Sequence, residues 1–117
     1  ISHLPQMNSI INDVFNKYDE FISCLDEKVT KLITKHYIAY KYDYSNFVEI
    51  IIYKNSINII LDIPEDLIND EMNLAENISD KGSWGTGNLR IKVNNLENFD
   101  YIKNLILQSL NNEKNNY

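Results

Sequence analysis

Tyr37-Ile-Ala-Tyr-Lys-Tyr-Asp-Tyr-Ser-Asn-Phe-Val-Glu-Ile-Ile-Ile-Tyr-Lys-Asn-Ser-Ile-Asn-Ile-Ile-Leu-Asp-Ile63 contains three apolar runs separated by two short polar breaks. From Tyr37 to Tyr42, Ile38, Tyr40 and Tyr42 alternate with Tyr37, Ala39 and Lys41, the two-residue period of a strand. Asp43-Tyr-Ser-Asn46 reads as a hairpin loop. Phe47 to Lys54 is almost wholly apolar, as a central strand covered on both faces would be. Lys54-Asn55-Ser56 is a second turn. Beyond it Ile57, Ile59, Leu61 and Ile63 share one face, with Asn58 and Asp62 opposite. Three strands joined by short turns predict an antiparallel meander.

The flanks complete the architecture. Val29 to Ile33 reads as a short first strand. From about Met7 to Leu25, Ile10, Ile11, Val14, Phe15, Tyr18, Phe21, Ile22 and Leu25 recur at helical spacing, with Asn8 or Ser9 as cap. Pro64 opens a short helix or turn through Ile68, and Glu71 to Ile78 reads as a further helical turn. Leu89, Ile91 and Val93 alternate with Arg90 and Lys92 in one more strand. A last helix presents Leu96, Phe99, Ile102, Leu105, Ile106 and Leu110, with Asn94 or Asn95 as cap. The expected fold is α+β: a two-layer domain whose mainly antiparallel sheet of four to five strands carries the N- and C-terminal helices on one face.

The 117 residues suffice for one domain, spanning 1–117. Ile1 in place of Met reads as the start of a C-terminal fragment of a longer protein. No apolar run reaches membrane-spanning length, and no signal peptide is visible. Cys24 is the sole cysteine, so no internal disulfide can form, and a reducing cytoplasm fits. Its apolar neighbours suggest a small buried or half-buried thiol. A net charge of −6 argues against this domain as the main nucleic-acid contact.

All three glycines and the only tryptophan lie in Gly82-Ser-Trp-Gly-Thr-Gly87. Gly82, Gly85 and Gly87 point to positive φ or to close approach of the backbone. The loop precedes a strand and lacks the Gly-Lys-Ser/Thr ending of a phosphate-binding loop, which argues against nucleotide binding. A core plug and a ligand-facing aromatic both fit Trp84. The loop is expected to border the functional surface, with Tyr40, Lys41 and Arg90 as the nearest polar groups. The binding set is then Trp84, Gly85, Gly87, Tyr40, Lys41 and Arg90, with no catalytic residue, metal or cofactor. The acidic run Asp62, Glu65, Asp66, Asp70 and Glu71 lacks a convergent lysine, and His3 and His36 have no ligand-spaced partner.

Tyr37-Ile-Ala-Tyr-Lys41, Asn46-Phe-Val-Glu49, Leu74-Ala-Glu76, Ile78-Ser-Asp-Lys-Gly-Ser-Trp-Gly-Thr-Gly87 and Asp100-Tyr-Ile102 with Leu105 to Ser109 resemble an uncharacterised bacterial domain family. Some of its members carry the name predicted transport protein. The motifs span about Lys35 to Leu110. The family's loop usually reads Gly-His-Trp-Gly-Asn-Gly; here Ser83 and Thr86 replace the His and the Asn. The resemblance implies an accessory domain at the C-terminal end of larger proteins, some of which look like restriction or defence proteins. It implies no known reaction. The expected function is non-catalytic binding of an upstream domain or protein partner, or of a small ligand or nucleic-acid end. The alternative is a divergent metal-dependent nuclease using the acidic run.

Overall fold

The computed structural model describes residues 7–79 and 87–115. Helix α1 spans Ser9–Ser23 and helix α2 spans Phe99–Lys114. Between them lie β1 (Val29–Ile33), β2 (Ile38–Tyr42), β3 (Ser45–Ile52), β4 (Ile57–Leu61), a 3-10 turn (Glu65–Leu67), β5 (Glu76–Asn77) and β6 (Leu89–Val93). The strands form one sheet in the order β1-β2-β3-β4-β6-β5, antiparallel at every pairing. The α+β class and the terminal helices agree with the sequence pattern.

The sheet has six strands, not four to five. The added strand, β5, falls where a helical turn is expected. Glu76 and Asn77 carry no strand pattern of their own and become a strand only by pairing with Arg90 and Leu89. The β2–β3 loop is also tighter than expected. Tyr42 pairs with Ser45, leaving Asp43 (φ 54°) and Tyr44 as its two linking residues.

Both helices pack on one face. Ile11, Val14, Phe15, Tyr18 and Ile22 of α1 and Ile102, Leu105, Ile106 and Leu110 of α2 join Ile38, Tyr40, Val48, Ile50, Ile59, Leu61, Leu89 and Ile91 in one core. The Tyr18 and Phe99 rings meet edge to face at 4.9 Å and hold the helices together. Asn8 caps α1 by accepting the Ile11 N–H at 2.8 Å, and donates from its side chain to Asn55 in the β3–β4 turn. The cap of α2 is Asn98, with no side-chain bond, rather than Asn94 or Asn95. Asn95 instead accepts from the Glu97 N–H in the preceding turn, which delays the helix start.

Candidate functional site

The face of the sheet turned away from both helices carries Lys41, Glu49, Glu76, Arg90 and Lys92. Pairing places Leu32, Ala39, Glu49, Ile60, Arg90 and Glu76 in one lateral row across it. Neighbouring rows add Lys41 and Asn46 on one side, and Ile51, Asn58 and Lys92 on the other. Ile51, Ile60 and Ile78 form a second apolar cluster here, with Tyr37 packed against it.

A bulge shapes the centre of this face. Tyr40 pairs with Val48 and Lys41 with Asn46, so β3 contributes an extra residue, Phe47. The shift brings Asn46 beside Glu49, and its side-chain amide donates to Glu49 Oε2 at 2.9 Å. The displaced Phe47 carbonyl accepts from Ser109 Oγ at 2.5 Å and from the Asp62 N–H at 3.2 Å. Ser109 of α2 thus holds the bulge from the opposite face. Glu49 is only 2% exposed, a buried carboxylate in mid-sheet. Sequence spacing does not single it out, because a continuous apolar run hides which face a lone Glu joins.

The expected site residues fall in three places. Tyr40 faces the helices, fully buried, and its hydroxyl donates to Asp19 at 2.7 Å. Burial, and then the Asp19 carboxylate, push that hydroxyl well above the ordinary tyrosine range. It therefore shares no surface with Lys41 or Arg90, a correction forced by strand alternation. Lys41 and Arg90 do share a face, but β3 and β4 lie between their strands, which puts them roughly 14 Å apart at about 4.8 Å per strand. Arg90 pairs instead with Glu76 of β5, Nη2 to Oε1 at 2.6 Å. That partner is invisible in the sequence because β5 is.

Gly87 packs where only glycine fits. A Cβ there would overlap Ile60 Cγ2 and come within 2.9 Å of the Leu61 carbonyl oxygen. Close approach explains this glycine: the Asn88 N–H bonds the same Leu61 carbonyl at 3.0 Å. Asn88 in turn accepts the Ile78 N–H on its backbone carbonyl and the Ile63 N–H on its side chain. Trp84, Gly85 and Gly82 lie outside the described residues.

The acidic run does not converge. Asp70 ties its own loop, accepting the Ala75 N–H at 2.8 Å, the Leu74 N–H at 3.2 Å and the Tyr101 hydroxyl. Partial burial acts to raise its pKa, but these bonds outweigh it and hold the carboxyl below its ordinary value. Glu65 accepts from the Asn77 amide, while Asp66 and Glu71 are exposed. Among the described residues no three His, Cys, Asp or Glu side chains are grouped to hold a metal ion.

Cys24 is exposed rather than buried. It sits one residue past the end of α1, where helical periodicity no longer sets its direction. It lines an open groove of about 450 Å³ with Lys17, Glu20, Phe21, Leu25, Phe99 and Lys103. No described helix is long and apolar enough to cross a membrane.

No protein-family model matches the chain. No solved structure matches it either. An uncharacterised protein of Haemophilus influenzae is 31% identical over 108 residues, which cover 92% of this chain and 35% of that protein. The chain thus spans about a third of the length of the relative it matches.

Proposed function

We propose that this domain is a non-catalytic accessory module of a larger intracellular bacterial protein. It binds a partner domain through the sheet face that carries Lys41 and Arg90, together with the Trp84 loop. One observation carries the reading: both described ends of that loop rest on this face. Ile78 packs with Ile51 and Ile60, and Gly87 lies against Ile60. Arg90 supplies an exchangeable contact, because its partner Glu76 is 47% exposed and a carboxylate from outside can replace it. The Haemophilus relative supports the reading, since there the matching segment is part of a much longer polypeptide. The motif resemblance points to the accessory domains of restriction and defence proteins.

The relative supplies the first test. Its matched segment and the rest of its chain, produced as two polypeptides, are expected to reassociate and co-elute. In this chain the sole tryptophan makes emission a local reporter. Trp84 emission should shift when the rest of the relative's chain is added, and Arg90→Ala should weaken that binding without lowering the melting temperature. DNA and RNA incubated with the domain and magnesium or manganese should remain intact. Failure of both association experiments overturns the reading. So does metal-dependent cleavage that disappears in Asp70→Ala or Glu71→Ala.

A further inference from the structure

The two edges of the sheet differ. β5 ends one side with two residues. β1 ends the other with five, and its burial is slight throughout. Leu32 is 50% exposed and Ile33 38%, one on each face of the edge. Edge strands are normally guarded by proline, a bulge or an outward charge, because their open N–H and C=O groups template further pairing. β1 has no proline, its register with β2 is unbroken, and its one charged side chain, Lys31, turns back onto Asp19 at 3.0 Å.

The backbone direction follows from the ends of the β1–β2 ladder. The Thr34 N–H donates to the Tyr37 carbonyl at 2.9 Å, and the Asp43 N–H to the Lys28 carbonyl at 3.2 Å. In an antiparallel ladder, hydrogen-bonded pairs alternate along the strand. Thr30 and Leu32 therefore direct their groups to β2, while Lys31 and Ile33 direct theirs outward. The Val29 N–H is already used on the Asp26 carbonyl.

Charge selects the occupant. Lys28, Lys31 and Lys35 fall within eight consecutive residues that contain no acid, in a chain of net charge −6. Lys28 and Lys35 are exposed at the two ends of the strand. We infer that the β1 edge binds an extended segment of a partner protein, apolar at its centre and acidic at its ends, which adds a seventh strand to the sheet. A second copy of this chain fits poorly, since it would set the same lysines against one another. Strands β2, β3 and β4 separate the edge from Arg90, so Arg90→Ala, which tests the face described above, should leave binding at the edge unchanged.

The test uses the isotope-labelled domain and a seven-residue peptide of alternating valine and threonine with glutamate at each end. Binding should shift the Lys31 and Ile33 amides and slow their hydrogen exchange, leaving Thr30 and Leu32 little changed. Ile33→Pro removes one outward N–H without touching the β2 pairing, and should abolish binding. Should that variant fold poorly, Lys28→Glu with Lys35→Glu decides the matter. It should weaken the glutamate peptide roughly tenfold, two exposed ion pairs each changing sign. The inference is overturned if the Lys31 and Ile33 amides do not respond, or if the folded proline variant or the charge-reversed variant binds as well as the parent. It is equally overturned if these amides become protected with rising protein concentration alone, which would assign the edge to a second copy.

Discussion

At Gly87 the close approach of the backbone to β4 leaves no room for a side chain. The missing Cβ lets the chain lie against Ile60 and the Leu61 carbonyl. A side-chain methyl of Ile60 can shift, but a backbone carbonyl in the β4–β6 ladder cannot, so Gly87→Ala is expected to destabilise by about 1–3 kcal/mol, read as a lower denaturant midpoint. Asp70 gives a pH-dependent prediction. Its folded pKa lies below its ordinary value, so its contribution is present above the unfolded pKa, about 3.9, and is lost as pH falls through the folded value. Melting curves of wild type and Asp70→Asn should therefore differ by a constant amount at neutral pH and converge as the pH drops below about 4. A difference that persists unchanged at low pH would mean that Asn disrupts the loop for reasons unrelated to charge.

Among the elements, the bulge in β3 connects the two faces of the sheet. Phe47 turns into the core, Asn46 moves next to Glu49, and the displaced carbonyl is held by Ser109 from α2. Ser109→Ala leaves that carbonyl with the Asp62 N–H alone. The expected cost is about 1–2 kcal/mol. Because the bulge positions Asn46, the Asn46 and Glu49 side-chain resonances should move as well, although Ser109 lies on the other side of the sheet. A stability loss with no change at Asn46 would separate the helix contact from the bulge. The elements with strong periodicity, α1, β2, β4 and β6, appear where the pattern places them. β5 does not, because two polar residues have no period and pair only because β6 lies alongside them.

At the scale of the whole molecule, one core between the helical layer and the sheet supports the fold, with Tyr18, Tyr40 and Phe47 fully buried within it. The lone thiol is exposed and contributes nothing to that core. Thermal melts with and without chelator, and with and without reductant, are expected to superimpose. A marked drop with chelator would reveal a metal that the fold depends on.

Alternation and helical spacing are local properties, and they were enough to determine the α+β class, the strand meander and the burial of both helices on one face, while the choice of Asn8 over Ser9 as cap came from the structure. The same alternation already separated Tyr40 from Lys41, since neighbouring strand residues point to opposite sides. The number of strands, the Arg90–Glu76 pair and the two-strand gap between Lys41 and Arg90 were decided only by tertiary structure. Each depends on which strands become neighbours, and strand order is set by how β6 inserts between β4 and β5, a long-range choice that no local period encodes. The exposure of Cys24 and the burial of Glu49 have the same origin. One sits just beyond a helix end and the other within an unbroken apolar run, where the sequence has no period to assign a face.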